Sequence, residues 1–420
     1  MNPFASKTAL FQWVDCWFGG VACALLTAVR RVCRLLGLEK WEYPQEGPRR
    51  GLLFIKLAEQ GSTVLAAAAL QDAVDRHGKE HVYFLVFEEN RFILESLGIL
   101  RSENILSINT HGFHRIVLTG LQQLGKVRSL RLRECVDMEF FARATSCFAY
   151  LTGIPRRIGF HSWFGEGPWR GDLLTHRLRY NPHVHTAVIF RQLVAAGDVQ
   201  DPRGFPRFSW TVPPEHPPVP AFAATPEEVA AMRKLIEAQT GGQHSALILL
   251  NANASDLLPL RRWDNNNYLE LARRLLQSDP QLHIAFTGGP DEAEKISALV
   301  RQLDSPRVFC TAGKTTLREL LALYQLANVL VTNDSGPAHF AALTDIRTVV
   351  LFGPETPRLF GSLAPGSISL TAGLACSPCV SALNNRQTSC TNNLCMQQIT
   401  VEQVYAAVRQ SLTKPQPAST

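Results

Sequence analysis

Charge is scarce in this chain: only 19% of its 420 residues are Asp, Glu, Lys or Arg, against 46% hydrophobic. That balance excludes a disordered segment and describes a globular, fairly apolar protein. No basic patch interleaved with aromatics and no nucleic-acid motif occurs, so a nucleic-acid partner is not expected. No repeat appears at solenoid periods. A clean membrane span, which wants about 20 predominantly apolar residues, is also missing. Residues 9–29 come nearest, but Gln12, Asp15 and the pair Gly19-Gly20 interrupt the run. A secretory leader is not expected either, because Lys7 alone precedes the run and no small-x-small cleavage site is evident.

What is present fits two domains, since 420 residues exceed one typical core. The net charge of +6 favours anionic partners such as nucleotide phosphates or an acidic membrane surface. Within an N-terminal segment of residues 1–45, Trp13, Trp17 and the trailing Arg30, Arg31 and Arg34 suit a helix lying in the cytoplasmic face of a bilayer. The competing reading is a helix packed on the protein's own core. The first reading makes the protein cytoplasmic and peripheral on the inner face of the cell membrane.

From Gly51 the pattern alternates strand and helix. Leu52-Leu53-Phe54-Ile55, residues 82–87, 105–108 and 156–160 read as strands, while residues 63–74 and 140–151 read as helices. A proline-rich stretch, Val212-Pro213-Pro214 through Pro217-Pro218-Val219-Pro220, breaks the pattern. It restarts at Thr225-Pro226-Glu227-Glu228, a helix N-cap with proline at the first helical position, and strands follow at residues 246–250, 283–286, 308–310, 329–331 and 348–352. The expected division is a Rossmann-like domain over 46–212, a linker over 213–224, a second such domain over 225–412 and a tail over 413–420. Each would be an α/β, doubly wound parallel sheet with helices on both faces.

The most informative stretch is Thr332-Asn333-Asp334-Ser335-Gly336-Pro337-Ala338-His339, directly after an apolar run. It reads as a strand ending in a turn that opens a helix capped by Asp334 or Ser335. Such a turn either is plain structure or binds phosphate, with His339 donating to one more oxygen. With these residues the chain resembles glycosyltransferase family 9, the heptosyltransferases of lipopolysaccharide core assembly, which carry Asp-[Ser/Thr]-Gly-x-x-His at the diphosphate. Residues 349–357 and 312–320 also look like family elements: a strand with its Gly-Pro loop, and a Gly-Lys-Thr helix entry.

The resemblance implies a GT-B architecture, two Rossmann-like domains facing across a cleft, with no metal or cofactor needed for catalysis. It implies a nucleotide-sugar donor, ADP-heptose first among them, held by the second domain. The acceptor would be lipopolysaccharide or another lipid-linked saccharide at the inner-membrane surface. Leu260-Arg261-Arg262-Trp263 looks like the family's basic-basic-Trp element, with Arg261 first and Arg262 second as the diphosphate contact. In Thr287-Gly288-Gly289-Pro290-Asp291-Glu292, Gly288 lets the backbone approach a ligand, and Glu292 takes the ribose-binding part, with Asp291 the near alternative.

In the first domain, residues 55–66 match the family loop that supplies an aspartate general base, but Ser62 stands at that position. Serine cannot take a proton at neutral pH unaided. Glu59, three residues earlier, is the nearest substitute; Glu88, Glu89, Asp137 and Glu139 are the next candidates. Arg156, Arg157, Arg170 and the pair His183/His185 are either an anionic acceptor site or ordinary surface groups. Cys376-x-x-Cys379 with Cys390 and Cys395 has spacing suited to a structural zinc site; iron–sulfur ligation, free thiols and disulfides remain alternatives.

The expectation is therefore an inverting glycosyltransferase. Its rivals are a GT-B nucleotide-sugar epimerase and a nucleotide-sugar-binding protein silenced by Ser62.

Overall fold

Short runs of apolar residues with no polar face become strands buried on both sides. The structure, a computed structural model, describes residues 13–39, 50–199, 219–242, 244–254 and 258–413. The expected tail from 414 on and the part of the expected linker at 213–218 lie outside those residues, while Thr413 ends the last helix, Val401–Thr413. The chain divides into two units, Met1–Pro218 with Ser381–Gln387, and Val219–Val380 with Thr388–Thr420.

The first unit holds β1 (Leu52–Ile55), β2 (Val82–Phe87), β3 (Ile105–Ile108), β4 (Glu134–Asp137), β5 (Arg156–Phe160) and β6 (His176–Leu178). They form one parallel sheet in the order β3-β2-β1-β4-β5-β6. The second unit repeats the plan with β7 (Ala246–Asn251), β8 (Leu282–Phe286), β9 (Val308–Cys310), β10 (Val329–Asn333), β11 (Arg347–Phe352) and β12 (Ile368–Thr371). Its order is β12-β11-β10-β7-β8-β9, again parallel. Strand order reverses between β1 and β4 in one sheet and between β7 and β10 in the other. Beyond the carboxyl ends of such pairs, open α/β sheets bind their ligands. The doubly wound class expected from sequence is what both units have.

Local chemistry explains the element boundaries. The helix Pro226–Thr240 starts with a capping box: Glu228 N donates to Thr225 Oγ1 at 3.2 Å, and Thr225 N donates to Glu228 Oε2 at 2.8 Å. The helix expected from Phe140 begins instead at Arg143, because Phe141 adopts φ 63° and interrupts it. Phe140 stacks on Phe160 with centroids 5.7 Å apart. The sequence pattern did not anticipate β4, β6, β12 or the helix Phe113–Leu130.

At the N-terminus a π-helical turn, Asp15–Gly19, runs into the helix Gly20–Leu35. It lies against the helix Arg143–Leu151, which Asp15 caps by accepting from Ala144 N at 2.8 Å and Arg143 N at 3.1 Å. The approach needs glycine: a Cβ on Gly19 would lie 2.9 Å from the Cβ of Arg143. Gly171 (φ 72°) meets the helix from the other side, where a Cβ would fall 2.7 Å from Thr27 Oγ1.

Candidate active site

In the second unit, the loops after β7 and β10 meet at the switch point. Asn333, the last residue of β10, is fully buried; its Nδ2 donates to Asn253 O at 3.0 Å and its Oδ1 accepts from Trp263 N at 3.1 Å. Trp263 is buried in the core and its indole donates to Ile399 O at 2.8 Å. This tether fixes the backbone two residues from Arg261. The Arg261 guanidinium donates to Glu355 Oε1 at 3.0 Å and to Asp334 O at 3.3 Å, with the Asp334 carboxylate 3.6 Å from Nε. Arg262 turns elsewhere, donating from Nη2 to Ala254 O at 2.8 Å. Of the two arginines, Arg261 thus joins the Asp334 loop.

Ser335 Oγ donates to Asn333 O at 3.1 Å and lies 3.3 Å from Thr332 Oγ1. It precedes the helix Gly336–Phe340, but the side-chain cap expected of it is not made. With only five residues that helix adds little dipole, so fixed positive charge at this loop comes from Arg261. His339 is buried on the same helix. Gly288, after β8, allows a close approach: a Cβ there would sit 2.9 Å from Asn253 Nδ2. Glu292 accepts from Gly289 N at 2.8 Å, closing the turn beside it.

In the first unit, Lys56 follows β1 and is fully buried, with Nζ 3.4 Å from both Glu59 Oε2 and Glu139 Oε2. Glu139 is itself fixed by accepting from Leu57 N at 2.7 Å and Ala58 N at 3.2 Å. Glu59 has a left-handed backbone, φ 69°, an uncommon state for a residue with a Cβ. Ser62 Oγ donates to Glu59 Oε2 at 3.1 Å, and Arg386, from the segment grouped with this unit, pairs with Glu59 as well. Beside this cluster, the buried Asp137 at the end of β4 pairs with buried Arg170. Burial pushes the Asp137 carboxyl up, against the pull of Arg170. A lysine, two glutamates and a serine therefore converge at the β1/β4 switch point.

Other candidates separate from the site. Glu88 Oε2 accepts from Asn109 Nδ2 at 2.7 Å, and Glu89 Oε2 accepts from Thr110 Oγ1 at 2.5 Å, tying the β2 and β3 exits together. Arg156, Arg157 and Arg170 are buried rather than presented to a ligand. Arg156 pairs with Glu134 at 3.2 Å and Arg157 with Glu39 at 2.9 Å. His185 caps the helix Thr186–Ala196 by accepting from Ala187 N at 3.3 Å.

The four cysteines of the expected metal centre all lie in the second unit. Among the described residues no three His, Cys, Asp or Glu side chains gather to hold a metal ion. Cys376 and Cys390 are exposed and Cys379 is half-buried. The Cys390 thiol turns to Asn392 O at 3.0 Å. Cys395 is buried beneath Gly353, where a Cβ would lie 3.1 Å from its Sγ, and burial pushes its thiol up. None of the four is in a disulfide.

Two residues escaped the sequence reading. Glu355 is 1% exposed and holds Arg261; its signal was a carboxylate in an otherwise apolar strand exit, Phe352-Gly353-Pro354-Glu355. Lys56 carried a similar signal, a cation directly after Leu52-Leu53-Phe54-Ile55.

Two Rossmann-like units, each with polar groups gathered at its switch point, define the GT-B class of sugar-transferring folds. The structure is similar to that of Escherichia coli ADP-heptose lipopolysaccharide heptosyltransferase II, at TM-score 0.63 and 16% identity over 86% of this chain and 98% of that one. It is also similar to a glycosyl transferase family 9 structure from Veillonella parvula, at TM-score 0.66 and 18% identity over 86% and 97%. Residues 144–389 match the model of glycosyltransferase family 9 (heptosyltransferase), and the chain belongs to that family. Lipooligosaccharide heptosyltransferase 2 of Haemophilus influenzae is 26% identical over 54% of this chain and 63% of its own length. For lipopolysaccharide heptosyltransferase 2 of Salmonella typhimurium the identity is 33%, over 24% of this chain and 29% of the relative. The matched stretches thus cover under two thirds of these relatives.

Proposed function

We propose that this protein is an inverting glycosyltransferase that moves heptose from ADP-heptose to a lipopolysaccharide-core acceptor at the cytoplasmic face of the inner membrane. One observation carries the reading: Arg261 is held against the Asp334 loop at the switch point of the second sheet. Family membership and the heptosyltransferase relatives support the choice of sugar and favour transfer over epimerisation or silent binding.

In this reading Arg261, with Ser335, Gly336 and His339 around it, receives the donor's diphosphate, and Gly288 and Glu292 receive the nucleoside side. An acceptor hydroxyl attacks the anomeric carbon on the face opposite the diphosphate. The new C–O bond forms as the old one breaks, and its electron pair leaves on the diphosphate, whose growing charge Arg261 offsets. The acceptor proton passes to the Glu59 carboxylate. Lys56 and Ser62 orient that carboxylate, and Glu139 holds Lys56. Pairing with Lys56 and Arg386 fixes the direction of the Glu59 carboxylate.

Transfer of heptose to lipid A–Kdo acceptors, with and without a first heptose, tests the proposal against a panel of nucleotide sugars. Turnover is expected with ADP-heptose. Glu59→Gln is expected to lower kcat by about 10²–10⁴-fold while donor binding persists. Turnover that survives Glu59→Gln would move the base elsewhere; no turnover with any donor and acceptor would overturn the transferase reading.

A further inference from the structure

The N-terminal helix is amphipathic in the opposite sense to an ordinary surface helix. Its inward face carries its buried polar anchors beside Cys23 and Leu26, and its outward face is apolar. Inward, Arg30 is fully buried and donates to Leu174 O at 3.0 Å and to Glu39 Oε1 at 3.0 Å. Arg34 pairs with Asp172 at 3.2 Å, and Thr27 Oγ1 accepts from Asp172 N at 2.9 Å. Outward, Trp17, Phe18, Val21, Leu25, Val29 and Val32 are each between 51% and 66% exposed. Trp17 and Phe18 adjoin, and the others follow three or four residues apart, making one continuous stripe. Among the charged residues of Asp15–Leu35, Arg31 alone is exposed.

A helix that gives its charges to the protein and its apolar residues to the outside is matched to an apolar environment. We propose that this stripe docks the first unit on an anionic lipid bilayer, with the helix lying in the plane of the interface. Charge decides the occupant: Arg31 stands at the stripe's border where it meets anionic headgroups, and Trp17 lies near the other end, an amphipathic ring suited to headgroup depth. The polar latch decides the orientation. Asp15, Arg30 and Arg34 are all bonded to the folded unit, so the helix cannot cross the membrane without breaking those bonds. The docking surface stands apart from the sugar-transfer reading, since none of its residues belongs to either switch point.

Flotation of the full chain with vesicles of phosphatidylethanolamine and phosphatidylglycerol tests this without donor or acceptor. The wild type is expected to float, and less so with phosphatidylcholine alone. Val21→Gln/Leu25→Gln/Val29→Gln, which keeps helix formers, is expected to lower vesicle partition at least tenfold with the thermal midpoint unchanged. Val21→Leu/Val29→Leu is expected to float like the wild type, which separates lost apolarity from lost folding. Brominated acyl chains should quench tryptophan emission in the wild type, and less in Trp17→Phe. A triple variant that floats undiminished overturns the proposal. So does a wild type that ignores vesicles, or one that forms a dimer dissolved by the triple substitution, which would make a second copy the occupant.

Discussion

Arg261 sits between two carboxylates, Asp334 and Glu355, and Glu355 is nearly inaccessible to solvent. A buried carboxylate is expensive unless paired, so Arg261 and Glu355 hold each other in place and leave the guanidinium preset for an incoming anion. Removing the arginine and removing its holder should therefore differ in kind. Arg261→Ala deletes the charge that meets the leaving diphosphate and removes a cationic partner of buried Glu355; kcat/KM should fall by about 10²–10³-fold and stability should drop as well. Glu355→Gln keeps shape and burial but loosens the guanidinium. Its effect should fall mainly on kcat, by about tenfold, with the donor dissociation constant little changed. Steady-state kinetics beside donor titration separates the two. An equal loss in both variants would mean that Glu355 touches the donor itself. Glu355 was missed in the sequence because its apolar surroundings signal burial but do not name the distant arginine that it holds.

At the scale of elements, legibility followed hydrophobic continuity. Strands such as β1, β7 and β11 are apolar runs, and their composition alone calls for burial on both faces. The Asp334 loop was legible because its chemistry is contiguous in sequence. β4, Glu134-Cys135-Val136-Asp137, was not, since two of its four residues are charged yet all four are buried. Its charges are satisfied by Arg156 and Arg170, each about twenty to thirty residues away, a pairing that spacing cannot reveal. The same logic misled the reading of Arg156, Arg157 and Arg170 as possible ligand contacts. The N-terminal helix was legible in its apolar content but not in its sense, because only the fold decides which face carries the buried arginine. Its seat has its own test. Gly19→Val would force a side chain against Arg143, lowering stability by about 1–3 kcal/mol, whereas Gly120→Val, with open space around it and no positive φ, should cost less. Urea denaturation of the two variants checks the ranking.

For the molecule as a whole, acid should act first on the first unit. His161 and His176 both lie in that unit, and burial pushes each pKa down to about 4 from 6.5. For His161 the nearby Arg177 adds to that depression; for His176 a bond to Val199 O opposes it. Both are neutral when folded at pH 6, while in the unfolded chain they take up protons below about 6.5. Stability is therefore intact above pH 6.5 and falls as pH drops from 6.5 towards 4, where the unfolded state binds more protons. Each depression is worth up to about 3 kcal/mol over that window. Carboxylates add a later loss: burial raises the Glu134 pKa, but His77 and Arg156 outweigh it and leave the group lowered, so its contribution fades only below its ordinary value. Two units need not unfold as one, so a single transition midpoint would average over them. Hydrogen exchange resolves them: between pH 7 and pH 5, after correction for intrinsic rates, protection should fall more in β5 and β6 than in β7 and β10. His176→Gln should lower stability at pH 7 yet flatten its slope below pH 6.5. An unchanged slope in that variant would mean that His176 is charged in the folded protein, and the buried site beside Val199 would have to supply it with a counter-charge.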